Sequence, residues 1–266
     1  MSRLFDSHAH YFDQRFNDEY EGGAEVLLPT LLENDVEYII NVGTNNENNP
    51  ICLEMAQRYE GMYAAVGIHP EDCRDYKREE LDRFEEFLLA HRDFKKEKIV
   101  AIGEIGFDYH WEPYDKAHQA FFFEEQMKLA EKYGLPVVIH DREAHGDCFD
   151  MACRFKNVQG VFHSYSGSSE MAAELVKRGW YISFSGVVTF KNASRVKEVA
   201  ASIPLDRLLV ETDAPYLAPH PMRGKMNHSG LMRYTVETLT EIFGKSYDEM
   251  AEILSANAKR LFGIDR

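Results

Sequence analysis

Ile99-Val100-Ala101-Ile102-Gly103, the long stretch Ala117–Tyr133 and then Pro136-Val137-Val138-Ile139 decide the fold. Two short β-branched runs joined through a helix form one βαβ unit, and such a crossover makes its strands parallel. Phe121, Phe122, Glu125, Met127 and Leu129 lie along the helical stretch, and Pro136 suits a strand start. The same alternation extends in both directions. Upstream, the strand candidates are Leu4–Ser7, Tyr38–Val42 and Met62–Ile68. Helical stretches Leu27–Asn34, Ile51–Tyr59 and Leu81–His91 alternate with them, the last with Leu81, Phe84, Phe87, Leu88 and His91 at helical spacing. Downstream come a helix at Cys148–Phe155, a strand at Gly160–Phe162, and a helix at Met171–Arg178 closed by Gly179. A strand at Trp180–Phe184, a helix at Val196–Ser202 and a strand at Arg207–Val210 follow, and Met232–Phe243 and Tyr247–Phe262 are helical.

Eight strands alternating with helices in 266 residues suit an α/β fold, a single (β/α)8 TIM barrel with a C-terminal helical extension. A doubly wound open sheet is the competing arrangement. With no Pro- or Gly-rich linker, low-complexity tract or fixed repeat, the expected organisation is one domain over residues 1–266.

Composition narrows the function. Hydrophobic residues make up 44% and charged residues 28%, so a sizeable core can be buried. No apolar run approaches the ~18 residues of a membrane helix, and Asp6 interrupts the N-terminus before a signal-peptide core can form. A cytoplasmic protein without membrane contact is expected. Cys52, Cys73, Cys148 and Cys153 form no close pair of the zinc-ribbon or redox kind, so free thiols are expected. The formal net charge of -15 argues against broad non-specific duplex binding. A phosphodiester held in a pocket remains compatible with it, because bound divalent cations supply positive charge there.

The candidate ligands collect at strand ends. His8 and His10 follow the first strand, Glu104 the fourth, His140 the fifth, His163 the sixth and Asp213 the eighth. In a parallel barrel all strand C-termini open on one face, where barrel active sites lie. His8-x-His10 has the period of a strand, so both rings leave one side of the chain and can chelate one ion. Imidazole and carboxylate suit Zn2+, while added carboxylate or water suits Mn2+ or Mg2+. A carboxylate such as Glu104 can bridge two ions, and two ions ~3.5–4 Å apart clamp both the attacking and the leaving oxygen of a displacement. Taken singly, each residue has a plainer reading: surface histidines, a loop acid, a core histidine, a helix cap. Their common placement favours a two-metal site. His91, His118 and His145 read as surface or packing residues. His110, His220 and His228 stay open between loop surface and substrate contact, and His69 between substrate phosphate and outer metal contact.

These residues carry a family resemblance. Asp6-Ser7-His8-Ala9-His10, Val66-Gly67-Ile68-His69-Pro70 and Gly103-Glu104-Ile105-Gly106-Phe107-Asp108-Tyr109 are its first segments. Leu135–His140, His163-Ser164-Tyr165-Ser166-Gly167, Tyr181–Gly186, Glu211–Leu217 and Arg223-Gly224-Lys225 with Asn227 complete it. Together they resemble the TatD family of metal-dependent deoxyribonucleases among the amidohydrolase-like barrels. The resemblance implies a barrel and metal-dependent hydrolysis of DNA phosphodiesters, often 3'-to-5' on single strands. It implies metal ligands at His8, His10, Glu104, His140, His163 and Asp213, with Glu104 as the bridging acid. Many related amidohydrolases have a modified lysine at the position of Glu104. Two segments depart from the family pattern: Asn227-His228-Ser229-Gly230, where Glu-Pro usually follows Asn, and His163-Ser164-Tyr165, where His-Cys-Phe is usual.

The expected chemistry uses two divalent ions (Mg2+, Mn2+ or Zn2+) to generate a hydroxide that attacks phosphorus, with Glu104 and Asp213 as the catalytic residues. Asp213 orients the nucleophile and takes its proton. Arg223 and Lys225 grip flanking phosphate, or form a solvated basic loop. Tyr109, Trp111 and Tyr165 stack a base, or pack the rim. The expected partner is single-stranded DNA or another phosphodiester. Competing readings are hydrolysis of an amide, ester or lactone at the same site, and a non-catalytic partner-binding barrel.

Overall fold

The computed structural model describes residues 2–264. Met1, Asp265 and Arg266, the ends of the expected domain, lie outside the described residues. In chain order the first elements are β1 (Leu4–Ala9), α1 (Arg15–Glu19), α2 (Ala24–Asn34), β2 (Val36–Val42), α3 (Asn49–Arg58) and β3 (Met62–Val66). Then come α4 (Glu79–Ala90), α5 (Phe94–Glu97), β4 (Ile99–Asp108), α6 (Lys116–Tyr133), β5 (Val137–Arg142), α7 (His145–Arg154) and β6 (Gly160–Phe162). The last are α8 (Ser169–Lys177), β7 (Tyr181–Phe184), α9 (Ser194–Ser202), β8 (Leu208–Val210), α10 (Met232–Phe243) and α11 (Tyr247–Phe262). No described helix is long and apolar enough to cross a membrane.

The strands form one eight-stranded sheet in the order β1 to β8. This is the strand order of a (β/α)8 barrel, not that of a doubly wound sheet, whose order reverses at a switch point. The described residues divide into two compact units, 2–41 with 163–264, and 42–162.

In the first unit the last strand returns to the first. The Asp213 amide donates to the His8 carbonyl at 2.9 Å, the His10 amide donates to the Ala214 carbonyl at 2.7 Å, and Ala9 bridges Ala214 in parallel. On the other flanks β1 pairs with β2 from Leu4↔Val36, and β7 with β8 over Ile182↔Leu208 to Phe184↔Val210. Helix α11 starts on a capping box of Ser246 and Glu249, which satisfies amides its first turn cannot. It buries Met250, Ala251, Leu254, Ala258 and Phe262, and packs on β1 and β8.

In the second unit β4 and β5 pair in parallel, and α6 lies on β4. Phe122, Phe123, Met127 and Ala130 form the buried stripe of α6. The strands run close together. A Cβ added at Gly103 would stand 2.6 Å from Val138 Cβ, and one at Gly106 (φ 151) would run into the His140 carbonyl oxygen. Glycine at these two positions removes the obstacle on either side of Glu104.

The structure corrects the expected strand ends. His8 lies inside β1, Glu104 inside β4 and His140 inside β5; none of the three follows its strand. The apolar run of β4 does stop at Gly103, but pairing continues through Gly106↔His140, Phe107↔Asp141 and Asp108↔Arg142. Ladder hydrogen bonds need no apolar side chain, and β4 stays buried through Asp108 although Glu104 and Asp108 are charged, so an apolar run alone does not mark the strand end. The short helices α1 and α5 were not expected, since one turn carries no readable period.

Candidate metal centre

In the first unit three ligand atoms face one another. His8 Nε2 lies 3.0 Å from His10 Nε2, and Asp213 Oδ1 lies 3.6 Å from the first and 3.4 Å from the second. Lone pairs this close repel unless a positive centre lies among them, and one proton satisfies only one pair of the three. The set fits a divalent cation in donor type and convergence. The His163 ring stacks on His8 with centroids 4.1 Å apart. Its Nδ1 faces Glu211 Oε1 at 3.2 Å, and the Ser164 amide donates to the same oxygen at 2.8 Å. Because Glu211 accepts a hydrogen bond from Nδ1–H, the ring keeps its Nε2 lone pair for an ion, an arrangement general among metal-bound histidines.

Asp213 holds its side chain in place through an unusual backbone, φ 58. A left-handed conformation costs a non-glycine residue roughly 1–2 kcal/mol, and a dense network offsets it. Asn227 Nδ2 donates to the carbonyls of Thr212 at 2.8 Å and Tyr216 at 2.7 Å. Thr212 donates to Asp6 from its amide at 3.0 Å and from its hydroxyl at 2.6 Å, and Ser229 Oγ donates to Asp6 at 2.7 Å. The atypical loop Asn227–Gly230 therefore braces the Asp213 turn. Burial pushes the Asp6 carboxyl up to about 6, against the pull of these donors. Burial also pushes Asp213 up, but the His10 hydrogen bond and the imidazoles of His8 and His163 outweigh it, and its pKa falls below the usual carboxylate range.

The second unit carries its own cluster. Glu104 Oε1 lies 2.6 Å from His140 Nδ1 and 3.8 Å from His69 Nε2, and these three residues offer donors close enough together for one ion. Asp108, buried on the same strand as Glu104, takes the other side of the ring: His140 Nε2 lies 2.9 Å from its Oδ2. That bond leaves His140 Nδ1 for an ion. Burial pushes the Asp108 carboxyl up, yet the His140 hydrogen bond and charge and the His110 amide bring it below the ordinary value.

The six candidate ligands thus divide into His8, His10, His163 and Asp213 in one unit and Glu104 and His140, joined by His69, in the other. Asp6, Asp108, Glu211, Thr212, Asn227 and Ser229 were missed as parts of the site. Strand period offered a signal for three of them: Asp6 stands two before His8, Asp108 four after Glu104, and Glu211 two before Asp213.

The expected substrate contacts separate into reachable and covered groups. Arg223 and Lys225 are exposed, with the Arg223 guanidinium 4.1 Å from the Phe190 ring centroid. Tyr165 is buried and its hydroxyl donates to the Ser168 carbonyl at 2.8 Å. Tyr109 donates to Asp147 at 2.9 Å and stacks on Tyr114 with centroids 4.8 Å apart. Trp111 is 50% exposed, and Arg142 lies 5.4 Å from its ring. It borders a small recess with Asp108, Glu71, Arg74 and Tyr114. His118 and His145 are structural, bonded to the Cys73 carbonyl at 2.8 Å and to Asp141 at 2.8 Å. His91 faces Glu97 at 3.2 Å. His110 faces Glu143 at 2.7 Å on the surface, and burial holds His228 below its ordinary pKa.

Residues 5–263 match the family described as TatD related DNase. The chain is 42% identical to the metal-dependent hydrolase YabD of Bacillus subtilis, covering 98% of this chain and 100% of that one. It is 34% identical to the metal-dependent hydrolase YcfH of Escherichia coli, covering 98% and 96%. The crystal structure of YjjV, a TatD homologue from Escherichia coli K12, superposes with a TM-score of 0.88 at 31% identity over 99% of both chains.

Proposed function

The chain belongs to the TatD-related DNase family and is a metal-dependent hydrolase, and on that premise we propose that it hydrolyses phosphodiester bonds of single-stranded DNA, from 3' to 5'. The observation that carries the reading is the convergence of His8 Nε2, His10 Nε2 and Asp213 Oδ1 on one point. His8, His10, His140, His163, Glu104 and Asp213 would hold the divalent ions, two in number and Mg2+, Mn2+ or Zn2+, within a single barrel domain. When bound, such ions supply Lewis acidity toward water and toward a phosphoryl oxygen.

The remaining work falls to the chain. Asp213, held by the Asp6–Thr212–Asn227 network, orients the attacking water and accepts its proton. Asp108 and Glu211 keep the His140 and His163 rings in the tautomers the ions need. Arg223 offers a planar fork to a flanking phosphate, and Lys225 a point charge. His69, Tyr109 and Tyr165 complete the proposed substrate side. The exposed indole of Trp111 offers a base a stacking face, which Tyr165 could offer only by leaving its buried position.

The test is a substrate panel: single- and double-stranded oligonucleotides labelled at either end, with small esters, amides and lactones beside them. Loss of nucleotides from the 3' end, stopped by EDTA and restored by Mn2+ or Mg2+, is the expected result. Glu104→Ala should abolish cleavage and weaken metal binding while the protein still folds. Turnover of esters, amides or lactones with oligonucleotides left intact would replace the nuclease reading, and an undiminished rate in excess chelator would remove the metal from it.

A further inference from the structure

His69 stands in the same cluster as Glu104 and His140, and donor type alone makes it a third ligand. Its hydrogen bonds argue otherwise. The backbone N–H of Glu71 donates to His69 Nδ1 at 3.2 Å. An amide cannot give up its proton, so Nδ1 must present a lone pair. In the neutral ring the single proton is then on Nε2. A ring protonated at Nε2 donates from that nitrogen and cannot bind an ion there. His140 and His163 differ on this one point. Their outer nitrogens face carboxylates, Asp108 and Glu211, which accept a hydrogen bond from N–H and leave the inner nitrogen its lone pair.

The backbone fixes the ring on both sides. The His69 amide donates to the Thr44 carbonyl at 2.7 Å, and the His69 carbonyl accepts from the Cys73 amide at 3.0 Å. The ring meets His140 edge-on with centroids 4.3 Å apart, and Nε2 points to the Glu104 side at 3.8 Å from Oε1. A neutral donor therefore faces the Glu104 side of the cluster.

We propose that His69 is not a metal ligand but a neutral hydrogen-bond donor, giving Nε2–H to a non-bridging oxygen of the scissile phosphate. The phosphate part rests on the nuclease reading above; the choice of donor over ligand does not. A fixed donor placed where charge grows in the transition state needs no proton transfer and no reorganisation during the reaction. Removing such a donor costs about 100- to 1,000-fold in turnover in other enzymes.

Two measurements decide between donor and ligand without any turnover. In the zinc-loaded protein, nitrogen-15 ring spectra of His69 should show a protonated Nε2 and an unprotonated Nδ1. Metal analysis of His69→Ala should give the same ion count as the parent, whereas His140→Ala should lose metal. A proton on Nδ1, or a lost equivalent of metal in His69→Ala, would overturn the proposal. The kinetic arm tests the phosphate contact. His69→Ala should lower kcat about 100-fold or more with little change in KM. His69→Gln, whose amide reaches the Nε2 position, should recover to within about tenfold of the parent. Equal kcat in parent and His69→Ala would refute the contact. A parent protein inactive on every phosphodiester would sink the nuclease reading, and the spectra and the metal count would still decide the role of the ring.

Discussion

Replacing Asp108 by Asn tests how the second cluster is held. The carboxylate is buried and accepts twice: Oδ1 from the His110 amide at 2.9 Å, Oδ2 from His140 Nε2 at 2.9 Å. An asparagine has the same shape but only one acceptor. If its oxygen faces His140, its NH2 confronts the His110 amide. If its oxygen faces His110, the NH2 confronts His140 and draws the ring into the other tautomer, with the proton on Nδ1 where an ion should bind. In the first arrangement a donor in a dry site loses its acceptor, at roughly 1–3 kcal/mol; in the second, a proton occupies the nitrogen an ion needs. Such second-layer changes weaken metal binding about 10- to 100-fold, and at about 1.4 kcal/mol per tenfold the two figures agree. Competition with a chromophoric chelator measures the affinity, and urea unfolding of the metal-free protein measures the stability cost. Asp108→Asn should bind metal at least tenfold more weakly and unfold at lower urea than the parent. Metal affinity within threefold of the parent, in a folded variant, would mean that Asp108 does not set the His140 ring.

Lys98, itself at φ 64, donates to the carbonyls of Ala56 at 2.9 Å, Tyr59 at 2.9 Å and Glu60 at 3.1 Å, and so closes the C-terminus of α3. Lys98→Met should cost about 2–3 kcal/mol in urea unfolding, while Lys98→Gly, which relieves the backbone, should fall between it and the parent; an unchanged midpoint for Met would refute the capping role. Asp6 has its pKa raised by burial to about 6, so the folded chain binds its proton more tightly than the unfolded chain does. The stability this proton contributes is complete below the unfolded pKa near 4 and is lost as pH rises through about 6. Relative to Asp6→Asn, which cannot titrate, the parent should lose on the order of 3 kcal/mol over that window, and a difference that stays flat with pH would show that Asp6 remains ionised throughout. Arg223→Ala should raise KM for single-stranded DNA about tenfold and reduce the salt slope of binding by about one; a fall in melting temperature with unchanged KM would mean that the guanidinium only packs on Phe190.

Much of this protein was legible in one dimension. Parallel strands follow from β-rich runs separated by helix-length stretches, because a crossover of that length cannot make a hairpin. The final helices Met232–Phe243 and Tyr247–Phe262 were readable to the residue, since each has several turns of 3.6-residue period. His8 and His10 were paired by strand period, and the two prove to share one convergence point with Asp213. Strand ends were less legible. At β4 the apolar signal stops at Gly103 while backbone pairing runs on to Asp108.

Composition and periodicity determined which residue types lie on strands and which chemistry they could perform. Only the tertiary structure decided which nitrogen each histidine presents: Asp108 reaches His140 from 32 residues away, Glu211 reaches His163 from 48, and the Glu71 amide turns His69 the other way. It also decided that Tyr165 is covered and that the atypical Asn227–Gly230 loop braces Asp213. The physical reason is that a ring nitrogen takes or gives a proton according to the one atom opposite it. For His140 the fold brings that atom from β4 and for His163 from the residue that follows β8, at separations no short-range period encodes.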